Sequence, residues 1–190
     1  MLFVKKVQFL FVILFLVSFC SFGQDGYLRL DNQKKIVYTD VATLEKSKDV
    51  LFQNAQKWVV KTFGNYENAV ASENKQSGKL VLKSYTPLSS PSFEYLRYTM
   101  TVDCEDNKYR VTINEVEGIS KSQSVTPLGK KQNDEILEKE ILLKTESGRK
   151  KKSIAEESLN QAKTDNDQIN QAMYSLLASL KLVMSADSDL

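Results

Sequence analysis

The chain has 190 residues with 26 basic and 24 acidic side chains, and it contains no histidine. The lack of histidine excludes Ser-His-Asp and Cys-His catalysis, as well as every zinc site that needs an imidazole ligand. The near-neutral charge argues against nucleic-acid binding, because proteins that bind nucleic acids usually carry a strongly basic face. The length suits a single domain with its own hydrophobic core.

The first 23 residues have the pattern of a secretory signal peptide. Lys5 and Lys6 precede an apolar run over residues 9–17, and small side chains follow at Ser21 and Gly23. This arrangement is typical of a leader that is cut after its last small residue. The apolar run is shorter than the roughly 20 residues of a membrane-spanning helix. We therefore expect cleavage after Gly23, export to the periplasm or the extracellular space, and no transmembrane segment in the remaining chain.

The two cysteines bear on localisation and on redox chemistry. Cys20 raises the alternative of a lipoprotein, but the residue before a lipid-bearing cysteine is normally small and here it is Phe19. Cleavage of the leader would leave residues 24–190, a single domain in which Cys104 is the one cysteine. An internal disulfide is then impossible, and we expect Cys104 to be an unpaired, inert thiol. Pairing of Cys104 between two chains stays open.

A short strand over residues 35–38 and then a helix are predicted for the start of the domain. Ser47 has the position of a helix N-cap, and Gly64 that of a C-terminal stop. Between them, six residues at helical spacing form one stripe. These are Leu51, Ala55, Trp58, Val59, Thr62 and Phe63. The position of Trp58 in this stripe predicts a core side chain, not a stacking platform for a ligand.

From residue 68 to residue 116 the hydrophobic period changes to two, which predicts strands. The four strands are expected over residues 69–73, 79–85, 93–103 and 108–116, with a loop over 85–92. We predict that the last two form a hairpin around a four-residue turn at 104–107. That register pairs Val102 with Tyr109, Met100 with Val111 and Tyr98 with Ile113, so all three pairs are apolar. The helix that contains Trp58 is expected to pack on this apolar side.

The opposite side of the same hairpin is polar. The predicted register places Arg97 opposite Asn114, Thr99 opposite Thr112 and Thr101 opposite Arg110. We interpret this polar side as a possible partner-binding face, because tyrosine and arginine are common interface anchors. A face that only contacts water is the alternative. The candidate residues are Tyr95, Arg97, Thr99, Thr101, Arg110, Thr112 and Asn114.

The C-terminal third is predicted to be a polar loop followed by helices. The loop is expected over residues 119–133 and the helices over residues 134–185. The last helix has apolar residues at helical spacing from Ile169 to Val183. The basic run at residues 149–152 is typical of a solvated helix start, and contact with anionic lipid or another polyanion is its alternative.

Several segments resemble an uncharacterised bacterial family, described as a domain of unknown function with a TATA-binding-protein-like (TBP-like) fold and found in secreted and envelope proteins. They are residues 47–52, Trp58, residues 77–80, residues 108–113 and, for the closing helix, residues 178–184. The resemblance covers about residues 40–118 and implies an α+β fold. Its curved antiparallel sheet would have helices packed on one face, in the order strand, helix, four strands, helix. The turn at 104–107 departs from the Asp-Gly type of turn expected for the family. The resemblance implies no activity.

The chain lacks the motifs of the common catalytic and metal sites. It has neither a glycine-rich phosphate loop nor a Gly-x-Ser-x-Gly elbow. Asp103, Glu105 and Asp106 could bind calcium, but they lack the spacing of an EF-hand. We therefore expect no cofactor and no metal, and an exported, non-catalytic domain that binds or scaffolds an envelope protein, a peptide or a glycan. A hydrolase that uses carboxylates alone, and a carrier with a small ligand between sheet and terminal helix, stay open as alternatives.

Overall fold

The computed structural model describes residues 26–186, so the predicted leader lies outside the described residues. Within this range the chain forms six strands and four helices. The strands are β1 (Tyr38–Thr43), β2 (Val70–Asn74), β3 (Lys79–Pro87), β4 (Tyr95–Glu105), β5 (Lys108–Ile119) and β6 (Val125–Pro127). The helices are α1 (Lys48–Phe63), α2 (Tyr66–Ala69), α3 (Lys130–Thr145) and α4 (Arg149–Ser185).

All six strands belong to one antiparallel sheet. Its order is β1-β5-β4-β3-β2, and β6 pairs with the last residues of β5, beyond the segment that pairs with β1. The sheet is open, because β1 and β2 lie at its two edges. The predicted α+β class and the order strand, helix, four strands, helix are confirmed. The structure adds the short α2, the strand β6 and the helix α3 to that order.

Helix α1 begins and ends where the sequence predicts. Ser47 Oγ accepts a hydrogen bond from the backbone N–H of Val50, and Gly64 closes the helix with a φ of 73°. A positive φ favours glycine because it has no Cβ atom to clash. The predicted apolar stripe is buried except at its end, where Thr62 is exposed and Phe63 is partly buried. Phe52, which the stripe did not include, is also buried.

One face of the sheet forms the hydrophobic core together with α1 and α4. Strand β4 alternates strictly, since Leu96, Tyr98, Met100, Val102 and Cys104 are buried and the residues between them are not. This alternation is what an antiparallel sheet requires when helices cover only one of its faces. Trp58 is 1% exposed and lies in the same cluster, so its predicted place in the core is confirmed. Its indole N–H donates to Ser179 Oγ at 3.0 Å and thereby links α1 to α4.

The register of the β4–β5 hairpin differs from the prediction. The turn consists of Asp106 and Asn107 alone, and Asn107 has a φ of 62°, a conformation that asparagine tolerates better than most residues. Val102 therefore pairs with Val111 and Met100 with Ile113, each two residues along from the predicted partner. A shift by two residues keeps every side chain on its face, because side chains alternate with a period of two. The predicted division into an apolar and a polar face is thus confirmed, although the predicted pairs are wrong.

Contacts between the hairpin turn and the start of α1 stabilise the shorter turn. The carboxylate of Asp106 accepts a hydrogen bond from the backbone N–H of Lys48, in the first turn of α1. The backbone N–H of Asn107 donates to Lys46, and its carbonyl accepts from Leu44, each at 2.8 Å. A four-residue turn would leave these groups at the helix start without their partners. Local turn propensity alone does not contain this information.

Two other predicted boundaries are wrong. The first strand begins at Tyr38, because Lys35 and Ile36 make only isolated bridges, with Gly129 and Leu30. The predicted polar loop at 119–133 contains β6 and the start of α3. Three-residue strands and polar first turns carry little hydrophobic periodicity, so the sequence pattern does not reveal them.

The last helix has two halves with different surroundings. At 37 residues, α4 is about 55 Å long, at 1.5 Å per residue. Its C-terminal half supplies the core with Ile169, Met173, Leu176, Leu177, Leu180 and Met184. Ala155 and Leu159 in its N-terminal half are buried outside that core, as is Ile136 of the neighbouring α3. No helix within residues 26–186 is both long and apolar enough to cross a membrane.

Asparagine side chains attach the N-terminal segment to these helices. Asn133 accepts from the backbone N–H of Leu28 and donates to its carbonyl, at 2.8 and 3.0 Å. Asn166 and Asn170 donate to the carbonyls of Gly26 and Tyr27, both at 2.8 Å. The amides satisfy backbone groups that have no strand partner there, which avoids the cost of leaving buried polar groups unpaired.

Trp58→Ala is expected to lower the free energy of unfolding by about 3 to 5 kcal/mol, because it removes a large buried aromatic side chain. Ser179→Ala removes the acceptor of the indole N–H together with the donor to the Leu176 carbonyl, and is expected to cost about 1 to 3 kcal/mol. Chemical denaturation of both variants measures these values. A loss below about 1 kcal/mol for Trp58→Ala would contradict its place in the core.

Alkaline pH is expected to destabilise the fold. Burial raises the pKa of the Cys104 thiol from its ordinary 9.0 to about 12, and that of the Tyr109 hydroxyl from 10.0 to about 12. The unfolded chain loses these protons at lower pH than the folded chain does. For each group, the free energy of unfolding should therefore fall by about 1.4 kcal/mol per pH unit between its ordinary pKa and its raised pKa. Denaturation curves from pH 8 upward, roughly one pH unit apart, test this. Tyr109→Phe should make the fall shallower, and a flat profile would contradict the prediction.

Candidate functional site on the open face of the sheet

The seven residues of the predicted partner-binding face lie together on the side of the sheet opposite α1 and α4. All seven are partly or fully exposed. They alternate along β4 and β5 with the buried core residues. The same alternation in the sequence therefore predicts both the core residues and the residues of the opposite face. The face is called the open face below. Its members on β4 are Tyr95, Arg97, Thr99 and Thr101, and those on β5 are Arg110, Thr112 and Asn114.

A β-bulge changes the pairing at the centre of the open face. The register of β4 against β5 shifts between Arg97 and Thr99, at the point where Glu115 of β5 has a φ of 50°. Thr99 therefore faces Asn114, and Arg97 faces Glu117 instead of the predicted Asn114. A bulge inserts one extra residue into one strand and redirects the side chains near it.

The sequence contained a sign of this bulge that the prediction did not use. Apolar residues occupy odd positions at Val111 and Ile113, but the next apolar residue is Val116, at an even position. The change of phase requires one residue that does not fit the alternation. Glu115 is that residue, and its side chain joins Asn114 on the exposed side.

The bulge creates a groove of ≈ 610 Å³ across the open face. Strand β3 supplies two residues that the prediction did not include, Lys83 and Tyr85, because the prediction considered only the hairpin. Two bases, Lys83 and Arg97, and two acids, Glu115 and Glu117, give the groove a balanced charge. The lining residues are Lys83, Tyr85, Arg97, Tyr98, Thr99, Glu115 and Glu117.

Hydrogen bonds hold the polar side chains of the groove in place. Arg97 forms an ion pair with Glu117, and this contact and a hydrogen bond with Tyr85 raise the pKa of the guanidinium. Thr99 donates its hydroxyl proton to Glu115 at 2.7 Å. The side-chain oxygen of Asn114 is shielded from solvent and has no hydrogen-bond partner among the described residues. The groove thus presents a fixed set of donors and acceptors, and the shielded oxygen of Asn114 is not part of its lining.

Tyr85 lines the groove, and Tyr95 lies two residues along β4 from the groove residue Arg97. Tyr85 is 53% exposed and pairs across the strands with Arg97, whereas Tyr95 is 44% exposed and pairs with Pro87. On its other side Tyr95 pairs with Ile119, which pairs in turn with Val125 of β6. The open face therefore combines a polar groove with exposed tyrosine rings, a combination that is common in binding sites.

Other candidate sites of the sequence have structural roles. Asp106, which was weighed as a calcium ligand, accepts the backbone N–H of Lys48 at 2.8 Å. No group of three or more potential metal ligands occurs within the described residues. Cys104 is a free, buried cysteine, and burial raises its thiol pKa to about 12, so it carries almost no thiolate near neutral pH. The space between sheet and α4, where the carrier alternative would hold a ligand, is lined by packed core side chains such as Met100 and Met173.

Comparisons with known proteins agree with the fold. Residues 38–117 match the family model described as a domain of unknown function (DUF4468) with TBP-like fold. A TBP-like protein from Parabacteroides distasonis has a similar crystal structure, with a TM-score of 0.50 and 16% identity over 80% of this chain and 96% of its own. A DUF4468 family protein from Bacteroides ovatus also has a TM-score of 0.50, with 14% identity over 87% of this chain and 94% of its own. A search of curated proteins gives no match.

At these identities the two solved structures are evidence for the fold alone. The match of the family model covers β1 to nearly the end of β5, which includes α1 and the residues of the open face. It leaves out β6, α3 and α4. Residues 38–117 of the chain therefore resemble the DUF4468 family of domains of unknown function with a TBP-like fold.

Proposed function

We propose that this protein is an exported, non-catalytic binding or scaffolding domain of the bacterial cell envelope, and that the open face is its contact surface. The proposal rests on one observation. An ordered polar groove and two exposed tyrosines lie on the same uncovered face of the sheet. Tyr85 and Tyr95 are the two tyrosines, and the Arg97–Glu117 ion pair lies next to them.

Export is supported by the sequence. Lys5 and Lys6, the apolar run over residues 9–17 and the small residues Ser21 and Gly23 follow the order of a secretory leader. An envelope location agrees with a fold that depends on no disulfide, since Cys104 is buried and free. Stability then comes from the packed core, which does not depend on the redox state of the compartment.

The chemistry of the open face favours a neutral, hydrogen-bonding partner. Threonines at 99, 101 and 112 offer both donors and acceptors, and the groove carries as many acids as bases. A polyanion such as DNA would meet Glu115 and Glu117 at the centre of the face, where like charges repel. Exposed tyrosines stack well on peptide side chains and on sugar rings. A peptide segment, a glycan or a neighbouring envelope protein fits this surface.

A photo-crosslinking experiment tests the open face. Purified protein with a benzophenone side chain at position 95 is expected to form a defined crosslinked product in the envelope fraction of the producing bacterium. The same group at position 60, an exposed site on α1, is the matched control and should not give that product. Tyr85→Ala is expected to weaken the interaction by about tenfold or more, because exposed tyrosines are frequent hot spots worth at least about 1.4 kcal/mol.

The crosslinked product should also be competed by unlabelled wild-type protein and not by an Arg97→Glu variant, whose ion pair with Glu117 is lost. Identical products from positions 95 and 60 would contradict a role of the open face. Recovery of the monomer alone would contradict the binding function as a whole.

Export has its own test. The N-terminus of the protein recovered from the producing cells is expected to be Gln24, as found by mass spectrometry of the purified chain. A lipid-modified Cys20 at the N-terminus would keep the envelope location and change the form of attachment. Protein that keeps Met1 and occurs inside the cell would contradict the envelope role.

A further inference from the structure

The end of the α3–α4 hairpin is a separate surface that the open face does not use. Helix α3 ends at Thr145 and α4 begins at Arg149, so the two helices run in opposite directions from a three-residue connection. The N-terminal half of α4 contributes no residue to the main hydrophobic core. The hairpin end, defined as residues 141–154, therefore lies away from the sheet.

Three large aliphatic side chains are exposed at the hairpin end. Ile141 is 52% exposed, Leu142 is 44% exposed and Ile154 is 59% exposed. Each lies at most five residues from the end of its helix, which is about 8 Å along the axis at 1.5 Å per residue. Single exposed apolar residues are normal on a protein surface, but a group at one protruding end is typical of a contact site.

The hairpin end is also strongly basic. Residues 144–154 contain five basic side chains and one acid, Glu146, whose carboxylate accepts the backbone N–H of Gly148 at 2.8 Å. Four of the bases, at residues 149–152, occupy the first turn of α4, which has no acid and no side-chain N-cap. Cations at this end of a helix are repelled by its dipole. Helix stability therefore does not explain the basic run.

We propose that the hairpin end docks on the surface of an anionic phospholipid bilayer. The basic side chains would lie among the headgroups, where each contributes about 1 kcal/mol of attraction. Ile141, Leu142 and Ile154 would enter the boundary between headgroups and acyl chains, a layer into which interfacial helices sink by about 5–10 Å. Because the bases at 149–152 lie nearer the tip than Ile141 and Ile154, the hairpin would lie along the bilayer surface instead of entering it end-on.

The mixture of charges and aliphatic groups favours a bilayer over a soluble polyanion. Nucleic acids and anionic sugars attract the basic side chains, but they offer no apolar layer that would bury isoleucine or leucine. A bilayer with anionic headgroups interacts favourably with both the basic and the aliphatic side chains. The proposal does not depend on the open face, which lies on the sheet and uses other residues.

Co-sedimentation of the purified protein with lipid vesicles tests the proposal. The protein is expected to bind vesicles made of equal parts phosphatidylglycerol and phosphatidylcholine, to bind pure phosphatidylcholine much more weakly, and to be released by salt. Lys150→Gln combined with Lys151→Gln should weaken binding by more than about tenfold. The matched control is Lys75→Gln combined with Lys121→Gln, which removes two exposed charges elsewhere and should bind like the wild type.

A second pair of variants separates the bilayer from other anions. Leu142→Ser combined with Ile154→Ser should weaken vesicle binding by about tenfold and leave binding to soluble polyphosphate unchanged, with an unaltered circular dichroism spectrum. Failure to bind the anionic vesicles would overturn the proposal, as would equal losses in the control variant. Vesicle binding that is unchanged by the Leu142→Ser and Ile154→Ser substitutions would also overturn it, in favour of a general polyanion site. The crosslinking result at position 95 is independent of all these outcomes.

Discussion

The contact between Trp58 and α4 holds two helices on one face of the sheet, and most of the architecture depends on this contact. The indole is 1% exposed and donates to Ser179, so α1 and the C-terminal half of α4 are fixed side by side over the same face of the sheet. Each strand places alternate side chains on opposite faces, so covering one face leaves the other available. The open face is therefore a consequence of how the core forms. Its residues are free to serve recognition because the core needs none of them.

The β4–β5 hairpin shows how long-range contacts refine a local pattern. Asp106 and Asn107 bind the start of α1 and select a two-residue turn, and Glu115 adds a bulge that brings Glu117 opposite Arg97. The contacts of the turn set the register near it, and the bulge changes the register further along the strands. Between them they bring Glu117 to the groove of the open face, since a regular ladder from the two-residue turn would have placed Val116 opposite Arg97. The site thus depends on the two-residue turn and on the bulge together.

The sequence predicts the parts of this structure that follow from periodicity and capping. The limits of α1, its apolar stripe and the two faces of the hairpin are correct, because helical spacing, an N-cap and strict alternation each have a local physical cause. The pairs within the hairpin are wrong, because Lys48 and Lys46 lie about 60 residues from the turn that they stabilise. Strand β6 is missed because three residues carry no usable period. Lys83 and Tyr85 are missed because neighbouring strands cannot be inferred from the hairpin alone. The change of phase between Ile113 and Val116 was readable, and it would have located the bulge.

The two halves of α4 show that amphipathicity alone does not identify what a helix contacts. From Ile169 onward most apolar side chains enter the core against the sheet or α1, and Leu182, which is 75% exposed, is an exception. Before that point, burial comes from contacts with α3 and from hydrogen bonds of Asp165 and Asn166 with Ser92 and Gly26. Ile154 faces solvent beside a run of four bases. The buried side chains of the core half pack within the domain. The exposed apolar and basic side chains of the other half have no partner among the described residues. Since the family match ends at residue 117, this second surface lies outside the part of the chain that the family model describes. The open face and the hairpin end can therefore change independently, because they share neither residues nor packing.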